Sequence, residues 1–302
     1  MNVIVRRVAL VIGSLCLLLI LVAAGGYAVS QQRITRKYAI AAESLPIPTD
    51  SLSIARGWHL ARAMMKCVGC HAEDLGGGTV SDNPAMGRWT TPNLTRGRGG
   101  IGGILTDEDW VRAIRHGVGH DGRPLLIMPA NVYRNLSVGD LGQLVAYVKS
   151  VPPVDREQPK LTFGPVARGL IATDKVPLFE AARMDHAMQA PALAPAEGPT
   201  AEYGKYIVST AGCESCHGPT LAGGKIEAGD PSWPPAANLT PTGLKAYDEA
   251  AFFTALRTGV RPGGSKINPV MPWVWAREMT DDEIRAVWLY LKTVPPREFG
   301  AR

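Results

Sequence analysis

The chain has 302 residues, room for about two domains at ~100–200 residues each. Hydrophobic residues make up 46% and charged residues 20%, which excludes a disordered chain and a polytopic membrane protein. The net charge of +5 is spread thinly, with no Lys/Arg stripe of a nucleic-acid binder, and five Cys are too few for a disulfide scaffold.

The first element is an apolar run. Val8 to Val29 contains no charged residue. As a helix rising 1.5 Å per residue it reaches roughly 33 Å, enough for a ~30 Å hydrocarbon core. A small-residue site ending at Ala28 is compatible with signal cleavage. A signal's apolar region is only ~7–15 residues, so a retained single-pass anchor is expected. Cys16 reads as a small apolar residue inside it.

Beyond the anchor the sequence repeats itself. "CVGCH" from Cys67 returns as "CESCH" from Cys213, 146 residues on. "PNLT" from Pro92 matches "ANLT" from Ala237, and "MP" at Met128 matches "MP" at Met271. "AYVKSVPP" from Ala146 matches "LYLKTVPP" from Leu289. The matches keep one order, so the chain divides into an anchor and stalk (1–50), a domain (51–152), a linker (153–199) and a second copy of the domain (200–302).

Each copy is expected to be helical. Ile54, Trp58, Ala61 and Met65 fall on one helical face before the first Cys pair. Thr106-x-x-Asp109 is a capping-box pattern, with Gly117 as the stop. Ser137-x-x-Asp140 and Thr280-x-x-Glu283 open the final helices, which end at "VPP". No segment alternates with period two for long, so little sheet is expected. The Pro- and Ala-rich linker is an extended connection or a strap over the domain interface.

Four of the five Cys lie in the two Cys-x-x-Cys-His motifs, the pattern of c-type haem attachment. Two thiols one helical turn apart form thioethers to the two vinyl groups of a haem, and the adjacent His reaches the iron. The candidate thioether residues are Cys67, Cys70, Cys213 and Cys216, with His71 and His217 as proximal ligands. A four-cysteine zinc site needs pairs ~15–20 residues apart, far closer than Cys70 and Cys213. A thioredoxin-type motif needs a βαβ setting, which is missing. Met128 and Met271 occupy matched positions before Pro and are the candidate second axial ligands. Met86, His116 and His120 are rivals at the first iron, and Met279 at the second. Met64 and Met65 read as core, and His59 and His186 as ordinary surface or core residues. Arg115 and Arg257 are candidate partners of haem propionates.

These residues resemble class I cytochrome c domains: an N-terminal helix, Cys-x-x-Cys-His, a Met-Pro loop and a final helix with an aromatic, here Tyr147 and Tyr290. More narrowly, "TPNLT", "GIGG", "LTDEDWVRAIRHGVGHDGRPL" and "IMP" are similar to cytochrome c subunits of membrane-bound alcohol and gluconate dehydrogenases. The resemblance covers roughly residues 52–152 and 201–296. It implies an all-α fold of two tandem domains, two covalently bound haem c, and iron ligation by His71 with Met128 and by His217 with Met271. Those subunits carry three such motifs where this chain has two.

The expected function is electron transfer without catalysis. A membrane-anchored dihaem cytochrome would relay single electrons from a membrane oxidoreductase to a soluble cytochrome, a terminal oxidase or a reaction centre. The alternative is a cytochrome subunit fixed to a separate catalytic subunit in a dehydrogenase complex. The expected partners are redox proteins and the membrane, with no nucleic acid and no small-molecule substrate. The haem domains are expected on the periplasmic side of a bacterial cytoplasmic membrane. A dihaem peroxidase needs an open iron position, which two Met-Pro motifs argue against.

Overall fold

An uninterrupted apolar run with no Pro forms one long helix, α1 (Val3–Thr35). Its most apolar stretch has a mean hydropathy of 2.8 and is nowhere buried against the rest of the chain, so it is long and apolar enough to cross a membrane. The structure, a computed structural model, describes residues 3–227 and 229–301; residues 1, 2 and 302, at the ends of the first and last segments expected from sequence, and residue 228 lie outside the described residues.

Two similar helical sets follow. The first comprises α2 (Ser51–His59), α3 (Val68–His71), α4 (Asp107–His116), α5 (Ala130–Tyr133) and α6 (Val138–Ser150). A linker helix, α7 (Pro165–Thr173), separates it from α8 (Ala201–Thr210), α9 (Cys213–His217), α10 (Glu249–Thr258), α11 (Trp273–Ala276) and α12 (Asp281–Thr293). The expected starts are present. Thr106 with Asp109 and Thr280 with Glu283 form reciprocal capping boxes, and Ser137 accepts the Asp140 N–H at 3.1 Å. Gly117 stops α4 in the left-handed conformation at φ 63°.

The crossing of first and last helices is set by one small residue in each half. A Cβ placed at Gly57 would lie 2.0 Å from the Gln143 carbonyl oxygen, and one at Gly204 would lie 1.9 Å from that of Ala286. Any side chain there would force α2 off α6, or α8 off α12. Gly57 stands ten residues before Cys67, whereas Gly204 stands nine before Cys213. The first half absorbs its extra residue in a π-helical turn, Leu60–Met64. Ala61 and Met65 of the face expected from periodicity are buried, and the turn adds Leu60 and Met64 to them. Gly57 is buried as well, and Trp58 is 45% exposed.

Sheet is confined, among the described residues, to one antiparallel hairpin, β1 (Gly78–Asn83) and β2 (Gly87–Thr91), in the first half. The linker is a packed strap, and it covers the first half rather than only the domain interface. Its α7 lies against the end of α1, and Trp89 of the hairpin joins Ala167, Ile171, Leu178 and Phe179 in a small apolar cluster. Trp89 is therefore a packing residue of the strap. Farther on, Pro191 accepts the Val138 N–H at 3.0 Å, the first free donor of α6.

Both halves share one main core. They meet through an approximate two-fold arrangement. Arg56 and His59 of α2 reach Glu283 at the start of α12, at 3.1 and 2.7 Å. The equivalent residues of α8 are Tyr203 and Tyr206, and the Tyr206 hydroxyl donates to Asp140 at the start of α6 at 2.5 Å. At the centre Arg56 donates to the Tyr203 hydroxyl at 2.8 Å.

Candidate functional site

Both Cys-x-x-Cys-His motifs are single short helices, α3 with its leading Cys67 and α9, entered and left through left-handed backbone. The residue before the first Cys is Lys66 at φ 55° in one half and Gly212 at φ 74° in the other. The residue after the His is Ala72 at φ 65° or Gly218 at φ 79°, and Leu75 and Leu221 follow at φ 53° and 60°. A non-glycine residue in this region costs about 1–2 kcal/mol, so a strained turn kept in both copies marks the site. Lys66 offsets its strain through its ammonium, which donates at 2.8 Å to Met64 O and, across the interface, at 2.8 Å to Ala211 O.

The two histidines are oriented identically. His71 Nδ1 lies 3.0 Å from Pro92 O, and His217 Nδ1 lies 2.7 Å from Ala237 O. A carbonyl only accepts, so Nδ1 carries the proton and the ring lone pair belongs to Nε2. This is the usual arrangement of an imidazole that ligates a metal through Nε2. Burial holds the His71 pKa below its ordinary value, against the opposing pull of the Pro92 carbonyl, so the ring is neutral.

The accepting carbonyls belong to the repeated Asn-Leu-Thr segments, which sequence comparison marks but does not explain. Asn93 is fully buried. Its Oδ1 accepts the Thr95 N–H at 2.9 Å, and its Nδ2 donates to Val154 O at 2.7 Å. Asn238 accepts the Thr240 N–H at 2.8 Å and donates to Arg297 O at 2.8 Å. Each Asn therefore clamps the loop beneath its His to the chain leaving the last helix, just past "VPP".

Met128 and Met271 are half-buried at the edge of the main core. Each is followed by a Pro that caps a one-turn helix, α5 or α11, and the Met128 and Met271 carbonyls accept the N–H groups of Ala130 and Trp273, each at 2.8 Å. Arg115 and Arg257 secure these segments. Arg115 Nη1 donates to Arg134 O and Leu136 O at 3.0 and 2.9 Å; Arg257 Nη1 donates to the matching Arg277 O and, at 2.6 Å, to Met279 O. Both arginines thus tie backbone carbonyls of these segments, and Arg115 also meets Glu43 at 2.6 Å. Met279, a rival ligand on sequence grounds, is the counterpart of Leu136 and is 6% exposed in the core. His59 is engaged with Glu283, and His116 Nδ1 lies 3.1 Å from His186 Nδ1.

Cys67, Cys70 and Cys213 carry free thiols. Burial pushes Cys67 up to about 12 and raises Cys70 and Cys213, the reverse of the depressed thiols of redox-active Cys-x-x-Cys motifs. Each half therefore offers two cysteine sulfurs one helical turn apart, an imidazole held by a backbone carbonyl and a thioether on a secured loop. That donor set fits a covalently attached haem.

The two sites face each other. Trp275 of α11 stands 3.0 Å from where a Cβ at Gly69 would be, between the cysteines of the first motif. The equivalent residue of the first half, Val132 of α5, stands 3.3 Å from the same point at Gly212, beside Cys213. The helix carrying each Met-Pro cap thus rests on the Cys helix of the other half.

A repeated helical unit with these features defines a c-type cytochrome domain. The chain is a tandem of two such domains. Residues 201–295 match the family described as cytochrome c, and residues 53–148 match the family described as cytochrome C oxidase, cbb3-type, subunit III. The chain is 29% identical over 287 residues to the fructose dehydrogenase cytochrome subunit of Gluconobacter japonicus, covering 84% of this chain and 55% of that protein. It is 28% identical over 277 residues to the cytochrome c subunit of the quinone alcohol dehydrogenase of Komagataeibacter europaeus, covering 82% and 57%. It is 34% identical over 183 residues to the gluconate 2-dehydrogenase cytochrome c subunit of Pantoea cypripedii, covering 55% and 38%. The chain spans about half the length of the curated relatives it matches over most of its own length.

Proposed function

We propose that this protein is the cytochrome c subunit of a membrane-bound dehydrogenase, taking electrons from a separate catalytic subunit and delivering them to a downstream acceptor. In this reading two haem c groups are held, one by Cys67, Cys70, His71 and Met128 and one by Cys213, Cys216, His217 and Met271. Each haem supplies a one-electron ferric/ferrous couple, and a thioether ligand raises its potential. The protein contributes ligand choice and orientation, burial, and a fixed distance between the domains. No side chain is assigned a catalytic step.

The observation that carries the proposal is the duplicated donor set, with its Nδ1–carbonyl bonds and arginine ties at equivalent positions. The names of the relatives favour a partner that stays bound. A free-standing relay to a soluble cytochrome, terminal oxidase or reaction centre uses the same residues and differs only in that partner. The domains occupy the periplasmic side in either case, because covalent haem attachment belongs to that compartment.

Three measurements test this. The mass of the denatured polypeptide reports the number of covalent haems, and one equivalent or none overturns the assignment of the two sites. Met128→Ala and Met271→Ala should each remove about half of the near-infrared thioether–iron band while leaving both haems attached; a band untouched by either sinks the axial assignment. Purification from native membranes should retain a flavin, quinone or molybdenum subunit, and its loss under mild detergent favours the free relay.

A further inference from the structure

The linker strap does more than join the two domains. We propose that the start of α7 and the tip of the hairpin rest on the phospholipid surface of the membrane that α1 crosses, so the cytochrome body is docked on the bilayer in one orientation. This rests on reading α1 as a retained anchor.

The strap is fastened to the last turns of α1. Ser30 is fully buried, and Arg168 of α7 donates to its hydroxyl at 3.1 Å while lying 4.1 Å over the Tyr27 ring. Arg33 donates to Ile171 O at 3.0 Å and pairs with Asp174 at 3.4 Å. Ile34 packs on the cluster formed by Trp89, Ala167, Ile171 and Phe179. Position 168 is thus level with residues 27–31, and positions 171–174 are level with residue 33. The two helices run in the same direction, and the beginning of α7 lies nearest the membrane.

This sets a depth. Pro165 and Val166 precede Arg168 by one helical turn or less, about 3–5 Å at 1.5 Å per residue. They therefore stand level with the stretch around Tyr27, in the last turns of the apolar run of α1 that ends at Val29. The hairpin tip comes with them: the Val166 N–H donates to Ala85 O at 2.9 Å and the Gly164 N–H to Met86 O at 3.0 Å.

The face at that level has the chemistry of a lipid contact. Val166 is 50% exposed and Leu161 is 37% exposed, and Pro84, Ala85 and Pro165 are exposed beside them. Exposed Arg36, Lys37, Lys160 and Lys175 lie in the segments around this patch. Small apolar side chains at the level of the membrane, with exposed cations farther out toward solvent, suit an anionic headgroup layer. The occupant follows from continuity: beside a membrane-spanning helix, at the depth where its apolar run ends, lies the bilayer.

The test uses the full haem-loaded chain in vesicles of phosphatidylethanolamine and phosphatidylglycerol. Nitroxide labels are placed at native Cys16 and, in a Cys16→Ser background, at Val166→Cys, Ala85→Cys and Leu193→Cys. Leu193 is 84% exposed and far along the linker. Accessibility to oxygen is compared with accessibility to a water-soluble nickel chelate. Positions 166 and 85 should favour oxygen, as Cys16 does, and Leu193 should invert the ratio. If 166 and 85 behave like 193 while Cys16 reads lipid, the anchor stands and the docking is wrong. If Cys16 reads water, or the mass shows the N-terminal run removed, the anchor reading falls and takes this proposal with it. Two labelled sites guard against one variant failing to fold.

Discussion

Replacing Glu283 with Gln tests whether the two-fold interface holds the domains together. Glu283 is 2% exposed. It closes the capping box of α12, accepting the Thr280 N–H at 2.8 Å, and also accepts His59 Nε2 at 2.7 Å and Arg56 Nη1 at 3.1 Å. Burial alone would raise its pKa. The His59 bond and charge, then the Thr280 and Arg56 bonds, reverse this and bring it from the ordinary 4.5 to about 2. A folded-state value below the unfolded one means stability that is complete above the unfolded pKa and lost as pH falls through the folded one. At 1.36 kcal/mol per pH unit that contribution is about 3 kcal/mol. Glu283→Gln keeps the shape and an acceptor for the cap, but offers an amide in place of a carboxylate to Arg56 and His59. The expected loss at neutral pH is about 3 kcal/mol, the usual cost of breaking a buried pair. The wild-type acid limb between 4.5 and about 2 should flatten in the variant. Denaturant unfolding of the haem-loaded chain, followed by far-ultraviolet circular dichroism and repeated at falling pH, measures both. A neutral-pH loss below about 1 kcal/mol, the range of an exposed pair, would refute the reasoning, as would an unchanged acid limb.

Tyr206→Phe probes the opposite side of the interface. It leaves buried Asp140 and the Ser137 N–H without the hydroxyl and should cost about 1–3 kcal/mol in the same unfolding assay. Arg115→Lys keeps the charge facing Glu43 but loses the fork to Arg134 O and Leu136 O. It should loosen the Met128 loop, cost about 1–3 kcal/mol and weaken the first domain's thioether–iron band before global unfolding. Trp275→Ala removes a ring from the face of Gly69. It should shift the spectrum and potential of the first domain's haem more than those of the second, although Trp275 belongs to the second domain.

Much of the site is legible in the sequence, because covalent haem chemistry fixes residue types at fixed spacing. The Cys-x-x-Cys-His motifs, the Met-Pro dipeptides, the capping boxes at Thr106 and Thr280 and the stop at Gly117 all depend on near neighbours. What is not legible depends on distance in sequence or on geometry without identity. Asn93 and Val154 are 61 residues apart. The clamp between them is invisible until both are placed, although each lies in or beside a repeated segment. The interface is hidden for another reason. Arg56 and His59 occupy the positions of Tyr203 and Tyr206, so aligning the halves registers a mismatch where the structure has an equivalent contact. Periodicity finds Ala61 and Met65 but not Leu60 and Met64, because the π turn at Leu60–Met64 adds them to the buried face, and no composition signal announces it. The strap was legible only as Pro and Ala content, whereas its docking turns on Arg168 and Ser30.

The mismatch at the interface follows from how the halves are joined. A duplicated domain that meets its copy across a two-fold arrangement places the same two positions of its first helix against the start of the other's last helix. There the helix macrodipole and the free N–H groups favour a carboxylate, which both halves supply, as Asp140 and Glu283. What answers that carboxylate need not match. A phenol donates to Asp140 on one side, and Arg56 and His59 bond Glu283 on the other. The same logic explains Lys66, which stands in a left-handed turn where the other copy has Gly212. Its ammonium reaches the carbonyl of Ala211, the residue just before that glycine, so its strain is offset by a bond the glycine copy has no side chain to make. Strain beside one Cys helix is thereby relieved on the other domain. Together with Trp275 over Gly69 and Val132 beside Gly212, it ties each Cys helix to a residue of the other domain.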